Sequence, residues 1–276
     1  MVPNEHYSNA MSLNGATMTT ARAIGPAIAG LLVTQVGFGW TFMADGLSFI
    51  AVLTGLALMR PHELTPVVPA PRQPGQIREA IRHIRSQPEL SVPMVLLIFT
   101  GVLAFNFGVN IPLLVTGPLH AGEGTFTILF ALMSLGGLGG TLLVARAGRT
   151  SRALLVRSTI AFGLAMAVMA AVPNIEAAFV AAFGLGAAAN ASVISAMSKV
   201  QSSAAHEYRG RVAALLMVVV MGSTPSIGGP IIGAIADRFG ARAGMAIGAV
   251  GCALGVWWVL RSDFDPQPPT GRSVAQ

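Results

Sequence analysis

Apolar runs of about twenty residues recur along the chain, separated by short polar or basic segments, and eight of them can be drawn: 13–36, 39–59, 92–116, 125–146, 153–172, 175–198, 212–236 and 241–260. Each is long enough as a helix to cross about 30 Å of hydrocarbon. Runs of this length, rich in Ala, Gly and Leu, do not suit barrel strands of about ten alternating residues. Backbone polar groups inside a bilayer must be satisfied within the segment itself, so the pattern predicts an all-α integral membrane protein with eight transmembrane helices.

Composition agrees with the pattern. The 276 residues are 53% hydrophobic and only 10% charged, and the mean hydropathy is +0.68, outside the range of soluble domains. Cys252, the single cysteine, falls in an apolar run, so neither a disulfide framework nor a thiolate metal site is expected. No basic segment leads into a short apolar core at the start, so the first helix is expected to act as its own insertion signal.

The basic residues orient the bundle. Of the 17 lysines and arginines, only Arg238 and Arg242 fall in alternate connections, and Arg22 lies within a helix. The others cluster on the opposite side: Arg60, Arg72, Arg78, Arg82 and Arg85; Arg146, Arg149, Arg152 and Arg157; Lys199, Arg209 and Arg211; Arg261 and Arg272. This asymmetry predicts both termini on the cytoplasmic side of the inner (plasma) membrane. The net charge of +6 then reflects topology, and nucleic acid is not an expected partner.

The longest connection divides the chain into 1–60, a linker over 61–91, a six-helix block over 92–262 and a tail over 263–276. The first part of the linker, "PHELTPVVPAPRQPG", is proline-rich and reads as extended. The second, "QIREAIRHIRSQPEL", predicts an amphipathic helix with Ile77, Ile81 and Ile84 on one face and Arg78, Arg82 and Arg85 interleaved. It suits the anionic inner membrane surface or a solvated connector whose isoleucines touch the bundle.

An internal repeat appears at a shift of 203 positions. Ile24, Gly25, Gly30 and Gly37 fall on Ile227, Gly228, Gly233 and Gly240, so that "IGPAIAGLLVTQVG" matches "IGGPIIGAIADRFG". One copy precedes the long basic linker and the other precedes the C-terminus.

Three stretches carry a family likeness: "VPNEHYSNAMSLNGATMTTARAIGPAIAG" with "GFGWTFMADGLSFIAVL", then "REAIRHIRSQPEL", and "EYRGRVAALLMVVVMGSTPSIGGPIIGAIADRFGAR". The sequence resembles the major facilitator superfamily, in particular its bacterial efflux branch that includes enterobactin-exporter-like proteins. That resemblance implies parallel six-helix halves working by alternating access. It implies a proton-coupled secondary exporter of small amphiphilic molecules, of drug or siderophore type, with a small-molecule substrate, protons and the lipid bilayer as partners. Full members have twelve helices, so an incomplete bundle of helices five to twelve is implied, with the missing N-terminal helices or a second chain as further partners. The alternative is a non-transporting remnant or partner-dependent membrane fragment.

Within this resemblance, Gly25, Pro26 and Gly30 look like an exporter helix-bend motif, and Gly228, Gly229, Pro230 and Gly233 its symmetry-related copy; ordinary glycine packing is the other reading. Gly140, Arg146, Gly148 and Arg149 fit a gating-loop pattern, although Ala145 stands where an aspartate is usual. Basic residues that only hold topology would look the same.

Charges inside a bilayer cost at least about 2.5 kcal/mol and normally face a cavity or a partner. Arg22 and Asp45 are therefore the candidates for proton coupling or charge relay, with structural pairing or, for Asp45, a near-interface position as the alternative. On antiparallel helices they would lie about 21 Å and about 9 Å from the outer end, at 1.5 Å per residue, so a direct pair is not assured. Asn106 and Asn110, four apart on one predicted face, and Asn190 are candidates to line a polar cavity or to bond between helices. Phe105 and Phe107 flank that face and could contact an amphiphilic substrate or lipid.

An enzyme is not expected. His6, His62, His83, His120 and His206 lie in loops or at helix ends without metal spacing, and neither a phosphate loop nor a nucleophile elbow occurs. No cofactor and no metal are expected.

Overall fold

The computed structural model describes residues 4–60, 75–147, 151–205, 208–222 and 224–262, with most side chains before residue 35 outside that description. The described residues are almost entirely helical: α1 (Asn4–Ala57), α2 (Gln76–Ser86), α3 (Pro88–Leu103), α4 (Phe107–Thr116), α5 (Glu123–Arg146), α6 (Arg152–Ala171), α7 (Ile175–Ser203), α8 (Arg209–Met217), α9 (Gly229–Phe239) and α10 (Ala241–Arg261). Two π-helical segments, Val218–Gly222 and Thr224–Gly228, join α8 to α9.

Seven spans among the described residues are long and apolar enough to cross a membrane, beginning with Gly39–Ala57 and ending with Ala241–Arg261. They correspond to the last seven runs seen in the sequence. The run over 13–36 lies inside α1, helical in backbone but with most side chains undescribed. The proline-rich part of the linker and the tail from residue 263 are outside the described residues, as are Gly148 and Arg149.

α1 contains one non-helical residue, Gly37, with φ 80° and ψ 171°. Its repeat partner Gly240 has φ 85° and ψ 161° and forms the corner between α9 and α10. This region of backbone space is open essentially only to glycine. The same local bend therefore occurs at matching positions of the repeat, for the same steric reason.

The six-helix block is built on glycine. Without a hydrophobic drive between helices in lipid, close backbone approach through small residues carries much of the association. On α5, a Cβ at Gly136 would overlap the Phe183 carbonyl oxygen and one at Gly140 the Ala187 carbonyl; on α7, one at Gly186 would overlap the Met133 carbonyl. α10 presents a second stripe, Gly244, Gly248, Gly251 and Gly255, which receives Asn110, Ala104, Leu103 and Leu96 of the facing helices. α6 and α10 lie antiparallel, each arginine at one start reaching the other's end. Arg152 Nη2 donates to the Val259 carbonyl at 2.7 Å, and Arg242 Nη2 donates to the Val172 carbonyl at 2.9 Å. Each cation thus satisfies a carbonyl left open at a helix C-terminus.

Buried apolar residues form two clusters along the bundle. One, around Leu90, Leu97, Leu155 and Val212, lies where α3, α6 and α8 begin; the other, around Ile111, Leu114, Phe162, Leu185 and Met245, lies beyond Ala104.

The glycine seats give a paired prediction. Gly136→Ala should lower stability by about 1–3 kcal/mol, as expected for overpacking. Gly139→Ala, where nothing stands within 4 Å of the added carbon, should be neutral or stabilising by about 0.5–1 kcal/mol. Thermal unfolding of the two variants in one detergent checks both.

Candidate functional site

The run over 92–116 is not one helix. α3 ends at Leu103 and α4 starts at Phe107, with Asn106 between them at φ −88° and ψ 42°. The approach to the break is widened, since both Ala104 N and Phe105 N donate to the Thr100 carbonyl, at 2.8 and 2.9 Å. Asn106 repairs part of the interruption: its Nδ2 donates to the Val102 carbonyl at 2.7 Å, where a helix would supply a backbone amide. The expectation that Asn106 and Asn110 share a face of one continuous helix is thereby corrected.

Facing this break is the π-helical stretch before α9. Gly228 sits on it so closely that a Cβ would overlap the Val102 carbonyl oxygen and crowd the Asn106 amide. Broken backbone at membrane depth is tolerated only where protein or a cavity covers it. Here each irregular segment covers the other. Of the four repeat-motif residues, Gly228 makes this contact, Gly229 and Pro230 open the first turn of α9, and Gly233 has nothing within 4 Å of a built Cβ. Gly233 is therefore no packing glycine in this arrangement.

Asn110 is fully buried, and neither its Oδ1 nor its Nδ2 has a hydrogen-bond partner among the described residues. Oδ1 stands at the Gly244 seat beside Ile232 and Ala236. Above it, between the end of α4 and the Gly240 corner, a cleft of about 320 Å³ is lined by Leu113, Thr116, Ala236, Gly240 and Ala241. Ala236 borders both the cleft and the Gly244 seat. At the break itself, Phe105, Phe107 and Phe162 form an aromatic cluster, with ring centroids 5.0 to 6.1 Å apart. Phe105 and Phe107 pack inward rather than onto lipid, and Phe162 is fully buried. The arrangement is an apolar, aromatic core that holds one donor–acceptor pair without a partner among the described residues.

The other candidates lie elsewhere. Asn190 is exposed on α7, its Nδ2 donating to the Gly186 carbonyl at 3.3 Å beside Gly137. Asp45 is exposed on the span Gly39–Ala57, none of which is buried, and makes no ion pair among the described residues. Arg22, Gly25, Pro26 and Gly30 lie in helical backbone, their side chains undescribed, and the helix departs from regular geometry at Gly37 rather than at Pro26. Gly140 is buried between α5 and α7, whereas Arg146 is exposed at the end of α5. No group of three or more His, Cys, Asp or Glu suited to a metal occurs among the described residues.

Sequence reasoning missed Phe162, the π-helical stretch and Gly244. Gly244 was the most accessible of these, because the recurrence at 244, 248, 251 and 255 marks a helix-packing stripe.

Seven apolar spans in an all-helical bundle, with interrupted helices meeting inside it, define a multi-pass membrane protein built like a transporter. Residues 1–268 match the family described as transmembrane secretion effector. The chain belongs to that family of major facilitator superfamily transporters. No curated protein matches it.

Asn110→Val should leave stability unchanged or raise it by up to about 1–3 kcal/mol, because an unpartnered buried polar group is removed. Gly228→Ala should lower it, because the break and the π-helical stretch must separate. Thermal unfolding of both variants is the check, and a marked loss in Asn110→Val would show that the amide has a structural partner.

Proposed function

We propose that the chain acts as a secondary exporter of small amphiphilic molecules, coupled to protons and working by alternating access. The carrying observation is the meeting of the α3–α4 break with the π-helical stretch before α9, beside an unsatisfied Asn110 and an aromatic cluster. Transporters commonly build substrate and coupling-ion sites from discontinuous helices, and π-turns recur at functional positions. Apolar, aromatic surroundings with few polar groups suit amphiphiles better than sugars or ions.

Asp45 is the proton carrier in this reading, being the carboxylate set farthest inside a described span. Asn106, Asn110, Asn190, Phe105 and Phe107 face the substrate path at successive stages, and Arg22 assists the charge relay. Gly25, Pro26 and Gly30 with Gly228, Gly229 and Pro230 form paired bends, while Arg146, Gly148 and Arg149 gate one mouth. Residues 1–60 pair with the block 92–262 through the contact of α1 with α5.

The test is uptake of an amphiphilic dye into inverted vesicles under an imposed proton gradient. The chain should accumulate dye in proportion to the gradient, and Asp45→Asn should abolish the gradient-driven part while leaving expression intact. Accumulation that ignores the gradient, or is unchanged by the substitution, defeats the coupling assignment.

Both termini lie in the cytoplasm in the same proposal. In a Cys252→Ser background, His120→Cys should react with an impermeant maleimide from outside intact cells, and Gln87→Cys only after the membrane is opened. The reverse pattern inverts the topology.

A further inference from the structure

α2 takes no part in the interrupted helices or in the proposed transport step, yet its rotation is fixed. Ala80 and Ile84 are buried against the bundle. Glu79 accepts from the Tyr208 hydroxyl at 2.9 Å and pairs with Arg211 at 3.1 Å, while the His83 ring stacks on Tyr208 with centroids 4.0 Å apart. Those contacts engage the single carboxylate of the helix and leave the opposite side outward.

At about 100° per residue, the outward arc carries Ile77 and Ile81 and, immediately beside them, Arg85, Arg78 and Arg82. All three arginines are exposed. Ile77 is 69% exposed and Ile81 38%. A purely aqueous face gives no reason for two exposed isoleucines, and an apolar protein partner gives none for three cations without an ion pair among the described residues. The combination fits the boundary where acyl chains meet phosphates.

The position of the helix agrees. Only Gln87 separates α2 from α3, whose first residue opens the span Pro88–Thr116. With eleven residues at 1.5 Å each, the helix extends no more than about 16 Å from that span. At the same end of the bundle, Arg261 lies 4.5 Å from the ring of Trp257, which is half exposed, an aromatic placed as membrane–water interfaces require.

We infer that α2 is a docking surface for anionic phospholipids, its three arginines on the headgroup phosphates and its two isoleucines in the acyl boundary. Because Glu79 and His83 join it to Tyr208 and Arg211, lipid bound there restrains the leading end of the span that carries the π turns. The inference needs only that the chain spans a membrane, and it stands or falls apart from the exported substrate.

The full chain, purified in neutral detergent, is titrated with phosphatidylglycerol or phosphatidylcholine while its thermal unfolding midpoint is followed. Phosphatidylglycerol should raise the midpoint and phosphatidylcholine should not. The triple variant Arg78→Gln, Arg82→Gln, Arg85→Gln should keep the lipid-free midpoint and require about a hundredfold more phosphatidylglycerol. The corresponding triple lysine variant should respond like the parent. With the unaltered chain, about 1 M salt, where screening acts within about 3 Å, should weaken the response, and this arm does not depend on any variant folding. Soluble glycerol 3-phosphate should have no effect. An equal rise with phosphatidylcholine, an equal rise with glycerol 3-phosphate, or an undiminished response in the glutamine variant overturns the proposal.

Discussion

In hydrocarbon an unpaired backbone amide or carbonyl has no water to turn to, and the central architecture follows from that constraint. α3 cannot simply stop at Leu103, since its last carbonyls would be stranded within the bilayer. The Asn106 side chain answers for Val102, and the π-helical stretch before α9 closes over the rest with Gly228 against the break. The two irregular segments are thus interdependent. Either one straightened into a regular helix would deprive the other of its cover.

The surrounding frame is made stiff where this centre is irregular. Glycine seats hold α5 against α7 and α10 against α3 and α4, and two reciprocal arginine caps hold α6 along α10. Thr159 and Ser192 add a buried hydroxyl pair at 3.0 Å between α6 and α7. In membranes such contacts are individually modest. Their number, spread over α3 to α7 and α10, makes the frame.

Much of the helical layout was legible because apolar run length is a direct record of bilayer thickness, and the spans from Gly39 to Arg261 lie where the runs do. Breaks within runs leave a fainter trace. "LAFNFG" contains no proline, and nothing in its composition separates a break at Asn106 from an ordinary polar residue on a helix face. The repeat was visible at Gly37 and Gly240, and both positions have nearly the same backbone angles. It was misleading at Gly233, because a shared glycine reports the ancestry of a segment and not the neighbour it meets. The isoleucines of α2 were legible as amphipathic, but which of them would be buried depended on Tyr208 and Arg211, more than a hundred residues away. For Asp45 and Arg22 the sequence supplied the reason for interest, the cost of a charge inside an apolar run.

The Gly240 corner has a mechanical meaning. Helix joined to helix through a single residue leaves no slack in the connection, so α9 and α10 form a stiff hairpin with its crease at the membrane edge. A load applied to α9 cannot be taken up by the corner. It must pass up the strut to the next yielding place, which is the wide-turned stretch at 218–228, half a membrane away from the loop.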